Sequence, residues 1–446
     1  MSGVRLRNEL YPLGFLGIIL LDTLFKQWVV YFYAPPDARL APGGTASALG
    51  SAKGIGVFLL IGFLLQALAS PWVGQISDRL RTPFGRRRPV ILLSLPVLAL
   101  SFIATWQGWA PSWIAVPAYC LAFTLVAGPY LTLLPSLATT EKTRIRMSLT
   151  GAILALVGLG CALMGGPRLI ERYGYGALAW VGLAGLGLTL LPATLLLKEA
   201  EPEGEPAPGG LAGYARELKE VAAVPGLLRF LIANGLLQGG FAALVIAAPY
   251  ITEALLREPA AETERLNSGL FVGMLVTIPL IAVTAHRLRS GGQIRTAAAT
   301  GALTLLVLGG LSVLGASETP APLRWAVGFF LLGLPAMAGM ALPPVILAAF
   351  ADADAKDRQG AVFGLNGAAI NLGNGLAAIG TTAFLDLGKT AAEPTGVRGV
   401  VLGVGLAFLL AAIVFPATPA PPPEPEGKPE PDPTSAPPPL SGSSRS

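Results

Sequence analysis

The chain has 446 residues, 53% of them hydrophobic and only 13% charged, with 55 glycines, 39 prolines and a net charge of +5. Soluble domains carry roughly 25% charged residues, so a string of soluble domains is excluded and the length divides into membrane spans instead. The positive balance is no nucleic-acid signature, because the basic residues lie in short connections between apolar runs.

A crossing helix needs about 20 mostly apolar residues. Twelve segments meet that requirement, at 12–33, 55–77, 90–107, 112–138, 147–168, 177–197, 227–251, 267–286, 294–315, 324–350, 361–385 and 397–416. The first follows Arg5 and Arg7 but has no small-residue cleavage site behind it, so it reads as a retained span, not a signal peptide. It carries Asp22 near its middle and Lys26 four residues on, on one helical face. An ionised group at mid-membrane costs about 2.5–3.5 kcal/mol even on the mild insertion scale. The functional reading is that Asp22 binds solute hydroxyls or a coupling cation while Lys26 sets its ionisation. The alternative is a self-satisfied structural pair.

Further along, Gln66 and Ser70 lie four apart in span two, Tyr130 sits in span four, and Asn234 and Gln238 lie four apart in span seven. Asn366, Asn371 and Asn374 cluster in span eleven. Gln66, Tyr130, Asn234, Gln238, Asn371 and Asn374 are candidate contacts for a polar solute, and each is equally a candidate for a helix–helix hydrogen bond. Cys120 and Cys161 both fall inside apolar runs, which argues against a structural disulfide.

Between spans two and three, "SDRLRTPFGRRRP" (residues 77–89) gathers five arginines. With the N-terminus in the cytoplasm, most of the 31 lysines and arginines fall on the cytoplasmic side, as the positive-inside rule requires. Asp78 at the end of span two is placed to accept from Arg79 or Arg86, or to face a neighbouring helix N-terminus. Gly74 permits close helix approach and Gly85 a tight turn. The same position in the second half reads "HRLRSGGQIRT" from His286, an internal repeat of "DRLRTPFGRRR". Paired repeats are common in secondary transporters. His286, the lone histidine, reads as an exposed helix-end residue.

Residues 198–226 are rich in Pro, Gly and charge and form a linker, with a short amphipathic helix expected near 214–224. Residues 417–446 are proline-rich without apolar periodicity, which predicts a disordered cytoplasmic tail. The expected domains are thus an N-terminal bundle 1–197, the linker 198–226, a C-terminal bundle 227–416 and the tail.

The run from Gly74 to Pro89, G-x-x-S-D-R-x-R-T-x-x-G-R-R-R-P, resembles the loop signature of the major facilitator superfamily, and more narrowly that of the glycoside–pentoside–hexuronide:cation symporters and their sucrose-transporter relatives. "ADADAKDRQGAVFGL" (351–365) and "PYLTLLPSLATTEKTRIR" in span four and after it are similar to further segments of that group, and the resemblance covers about residues 10–416. It implies an all-α membrane protein with twelve transmembrane helices in two pseudo-symmetric six-helix bundles. It also implies a gate on the cytoplasmic side, carried here by Gly74, Asp78, Arg79, Gly85, Arg86, Arg87, Asp352 and Arg358. Asp22 matches the span-one aspartate that binds sugar in the melibiose-symporter branch.

The chain also departs from that pattern. The two span-two carboxylates of the cation-coupled symporters fall on Gln66 and Ser70, the span-four aspartate on Ala127 and the span-eleven lysine on Asn371. This favours proton coupling through Asp22, or no coupling, over a sodium site. No metal or other cofactor is expected.

The expected function is secondary active transport of a small polar solute, a sugar or glycoside, by alternating access. The expected setting is a monomer spanning the plasma (inner) membrane, with both termini cytoplasmic and no nucleic-acid partner. Two alternatives stand beside it. One is an uncoupled facilitator or an exporter of amphiphilic compounds on the same fold. The other is a prenyl-transfer enzyme using Asp352, Asp354 and Asp357, disfavoured because a second Asp-rich loop is missing. No phosphate-cradling loop of the ATP-driven type is present.

Overall fold

The computed structural model describes residues 9–36, 51–79, 82, 85, 87–131, 133–137, 141–197, 210–285, 287–314, 321–352 and 359–415. The expected tail, His286, and Asp354 and Asp357 of the acidic stretch lie outside them. Among the described residues twelve helices are long and apolar enough to cross a membrane, and the one β feature is an isolated bridge between Thr82 and Gly85.

The N-terminal six are α1 (Leu13–Tyr33), α2 (Ala52–Arg79), α3 (Arg88–Gln107), α4 (Ser112–Leu131), α5 (Glu141–Gly160) and α6 (Gly176–Leu196). The C-terminal six are α7 (Leu227–Tyr250), α8 (Thr263–Thr284), α9 (Ser290–Val313), α10 (Ala321–Ala341), α11 (Gln359–Leu385) and α12 (Thr395–Val414). A linker helix, Gly210–Ala222, lies between the sets, seals Val221 and packs on α11.

Three differences from the sequence reading matter for the architecture. Span four ends at Leu131, not 138. Pro135 has no N–H to return to the Leu131 carbonyl, which instead accepts from Tyr11 Oη at 3.2 Å; a separate turn, Leu134–Leu137, follows. Span five outlasts residue 168, continuing through a π-helical turn (Cys161–Gly165) into Gly166–Tyr173. Span ten is broken before Pro343 and resumes as Pro343–Asp352.

The packing repeats six helices on. In the first half α1 packs against α5 and α6, α4 against α2 and α3, and α6 against α3. In the second, α7 packs against α11 and α12, α10 against α8 and α9, and α9 against α12. The halves meet through α2 on α11, α1 on α7, and the π turn after α5 on α8. Symmetry would make the α5–α8 seam equal to the α2–α11 seam, but it is not. α2 and α11 touch along their length, from Gly56 against Thr382 to Gly367 against Ser70. The α5–α8 seam closes chiefly at the end holding the π turn. The face bearing the start of α1 is here called the near face and the opposite one the far face. The halves are drawn together at the far face.

Small residues set the tightest helix contacts, because association within lipid depends on close backbone packing. Gly273 of α8 lies against the Phe330 carbonyl and Gly333 of α10, where an added Cβ would collide with backbone on both sides. Gly187 of α6 has open space around its Cα. We expect Gly273→Val to lower the melting temperature of the detergent-solubilised protein by several degrees, and Gly187→Ala to leave it unchanged or slightly raised. Thermal unfolding followed by tryptophan fluorescence checks both.

Candidate functional site

The central helix α1 is enclosed on nearly all sides, with Leu21, Val29, Val30 and Trp28 essentially inaccessible. Within it Lys26 Nζ donates to Asp22 Oδ2 at 2.7 Å, across one turn of helix. The side chains keep 26% (Lys26) and 19% (Asp22) of their exposure, so the pair is neither sealed in protein nor fully hydrated. The ammonium lies 5.9 Å from the centroid of Phe63 on α2, where the ring quadrupole adds a second attraction. Asp22 is also within electrostatic reach of Tyr119 and Cys120 on α4, which places the carboxylate at the junction of α1, α2 and α4.

Gln66 arrives at the same junction. Its Nε2 donates to the Cys120 carbonyl at 2.6 Å, and Ser70 Oγ donates back to the Gln66 carbonyl at 2.7 Å. Asn371 Nδ2 then reaches across from α11 to Ser70 Oγ at 3.1 Å. The positions where the resembled symporters carry acid and base are thus joined here by a neutral hydrogen bond between the halves.

In the C-terminal half Asn234 Nδ2 donates to Asn366 Oδ1 at 2.8 Å, and Gln238 Nε2 to the Gly339 carbonyl at 2.8 Å. Asn234 Oδ1 and Asn374 Oδ1 are buried without a protein partner. At about 1.5 Å of rise per residue, Asp22, Gln66, Ser70, Gln238, Asn371 and Asn374 all lie roughly 14–22 Å from the near ends of their helices.

Tyr130 does not share that depth. It sits at the near end of α4, fully buried, donating to the Tyr11 carbonyl and stacked on the Tyr11 ring. Its hydroxyl is committed to the packing between the start of α1 and the end of α4, apart from the mid-membrane cluster.

Among the near-face gate candidates, the backbone of α2 runs through Gly74, Asp78 and Arg79, and that of the turn after α10 ends at Asp352. The side chains of Asp78, Arg79 and Asp352, together with Arg86 and Arg358, lie outside the described residues. Gly85 has φ +98° in a turn closed by its N–H to the Thr82 carbonyl at 3.0 Å, the left-handed conformation that glycine tolerates best. Arg87 stands at the N-cap position of α3. The neighbouring Arg88, not singled out by its sequence, donates to the Thr194 and Leu195 carbonyls at 2.7 and 2.6 Å. It closes the C-terminal end of α6, where carbonyls lack partners and positive charge is favoured. One arginine of the cluster is therefore a clamp within its own half.

Gln27 was also missed. It is completely buried, with both amide atoms unpaired, one turn before Tyr31 on the face of α1 turned toward α7. The signal was present in the sequence as a glutamine inside an apolar span, masked by its charged neighbour. Among the described residues no group of three or more His, Cys, Asp and Glu side chains is arranged to hold a metal ion.

A partly buried pair is costly to break and cheap to remove whole. Asp22→Asn or Lys26→Met alone leaves a charge without its partner, so each single variant is expected to lose more stability than the double variant. The single losses should be roughly 1–3 kcal/mol. Chemical denaturation of the four proteins in detergent measures the coupling.

Residues 10–418 match the family described as MFS/sugar transport protein. A symporter of Synechocystis, itself uncharacterized, is 31% identical over 168 residues, which is 33% of this chain and 29% of that protein. The chain therefore aligns with less than a third of that relative's length. Two solved structures share the fold. The nucleoside transporter NupG, solved as a point mutant, superposes with a TM-score of 0.66 at 11% identity, covering 92% of this chain and 98% of that one. A D-xylose–proton symporter superposes with a TM-score of 0.65 at 15% identity, covering 94% and 98%.

Proposed function

The chain belongs to the MFS/sugar transport protein family, it is a multi-pass membrane protein with the fold of secondary transporters, and from that footing we propose that it carries a small neutral polar solute, a sugar or glycoside, across the plasma (inner) membrane by alternating access coupled to protons through Asp22. The carrying observation is the Asp22–Lys26 pair, held at mid-depth in α1 and still partly exposed. Electrically neutral as a pair, it suits a solute without net charge. A carboxylate can accept two hydroxyls at once, giving orientation as well as affinity. The amides of Gln238, Asn371 and Asn374 at the same depth add neutral contacts from the second half. Exchange of Lys26 for a proton on Asp22 supplies the coupling step.

Sodium coupling has little support. Gln66 and Ser70, at the two positions that match carboxylates in the resembled cation-coupled symporters, make only neutral hydrogen bonds here and offer no anionic oxygen. The same neutral bonds favour a second reading, an uncoupled facilitator. The near face is assigned to the cytoplasm on the distribution of basic residues, with both termini there and the protein working as a monomer. A carrier needs no cofactor and no catalytic group.

Uptake of a panel of labelled sugars into proteoliposomes tests the reading, with and without an imposed pH gradient. We expect one or more sugars to accumulate at least several-fold under an inward proton gradient, and Asp22→Asn to abolish that accumulation while leaving the melting profile cooperative. Equal uptake with and without the gradient would establish the facilitator instead. Undiminished accumulation by Asp22→Asn would remove Asp22 from the site.

A further inference from the structure

The turn between α11 and α12 holds Asp386 and Lys389, and both reach into the opposite half. Asp386 Oδ1 accepts from the backbone N–H of Ala52 at 2.6 Å and Oδ2 from that of Lys53 at 3.1 Å. These are the first two residues of α2, whose N–H groups have no partner within the helix and where the helix dipole is positive. Lys389 Nζ donates to the Ala34 carbonyl at 3.1 Å, at the C-terminal end of α1 where the dipole is negative. A single turn of the C-terminal half thus offers an anion to the positive end of one helix and a cation to the negative end of the helix before it.

Two further bonds lie alongside. Tyr250 Oη of α7 donates to the same Ala34 carbonyl at 2.8 Å, and Tyr31 Oη of α1 donates to Glu253 Oε1 at 2.5 Å. All of these cross between the halves at the far face.

We infer that Asp386 and Lys389 form a latch that holds the far face closed by capping α2 and α1 across the interface, and that its release lets the far face open. The inference rests on the alternating-access reading, and it assigns to the far face a lock that the sequence placed only at the near one. The closed state is balanced and not simply favourable. Burial lowers the pKa of Lys389, an effect partly offset by Asp386, so the closed latch pays to desolvate its ammonium. Gln27, one turn inside Tyr31, is shut away with both amide atoms unpaired. Opening would return water to both groups. The latch bonds oppose that pull, so removing one partner should shift the population.

The test is electron–electron distance measurement between spin labels, in a Cys120→Ala, Cys161→Ser background reconstituted in lipid. One pair reads the far face, at Trp109 and Ala392, both exposed. The other reads the α5–α8 seam at the near face, at Ser148 and Ala285, also exposed. In the parent the far-face pair should show one dominant short distance. Asp386→Ala and Lys389→Met should each raise a longer-distance population at least three-fold, while the near-face pair shortens in step. The double variant should exceed neither single by much, because both act through one latch. A chain that merely failed to fold would broaden both distributions without this reciprocity. Unchanged distances in both single variants would overturn the latch. Solute counterflow on the same samples separates the two claims. Counterflow with unmoved distances defeats the latch alone, and shifted distances with no counterflow of any sugar leave the latch standing and defeat the transport reading.

Discussion

A charge inside a membrane must find its opposite or leave, and α1 satisfies that constraint within a single turn. Asp22 and Lys26 neutralise each other through one 2.7 Å contact, which lets the central helix of the first half carry a carboxylate at mid-depth. The arrangement around it encloses the pair without sealing it. α1 must be surrounded by protein, since lipid would not tolerate the pair. It is also not surrounded completely, and on the proposed reading that opening is where a solute meets the pair. The residual exposure of both side chains reflects that partial enclosure.

The enclosure is built by two halves that repeat one packing scheme, and the repeat is broken at one seam. Equivalent seams, α2 against α11 and α5 against α8, would be identical in a symmetric molecule. Here one is closed along its length and the other mainly at the far end. The polar bonds between the halves follow the same bias. Tyr31, Tyr250, Asp386 and Lys389 all bond at the far face, as do the Arg168–Glu264 ion pair and the bond from Asn267 to the Leu163 carbonyl at 2.6 Å. On the proposed alternating-access reading, the second state is the one in which the closed and open ends exchange.

Much of this was legible in the sequence because spanning helices are dictated by local composition. Twelve apolar runs become twelve helices, and glycine at position 85 takes the turn expected of it. Asp22 and Lys26 were legible for the same reason, since spacing of four on a helix is itself a contact. What could not be read were contacts between residues distant in the chain. Asp386 meets Ala52 and Lys53 across 334 and 333 positions, and no periodicity encodes that. Tyr130 shows the converse. It is polar and within a span, but its depth was set by where α4 ends, and Pro135 ends it a full turn and more before the apolar run does. Arg88 was hidden in a cluster whose charges looked interchangeable until one of them was seen closing α6.

Amides and a hydroxyl, at positions that match charged ones in the resembled symporters, leave the charged pair of α1 alone at mid-depth. In the symporters this chain resembles, the positions of Gln66, Ser70 and Asn371 bear charges of both signs. Losing one such charge would strand its partner in a medium where an unpaired ion costs several kcal/mol. Losing them together costs little, provided the replacements can bond to one another. The structure shows that condition met, with Asn371 bound to Ser70, Ser70 to the Gln66 carbonyl, and Gln66 to the Cys120 carbonyl. These three side chains form one connected chain from α11 through α2 to α4, so none of them is left unpaired. Asp22 and Lys26 stand outside that chain, bonded to each other. Among these mid-depth residues, the ionisable groups are thereby confined to a single turn of α1, which is why the proposed coupling is placed there.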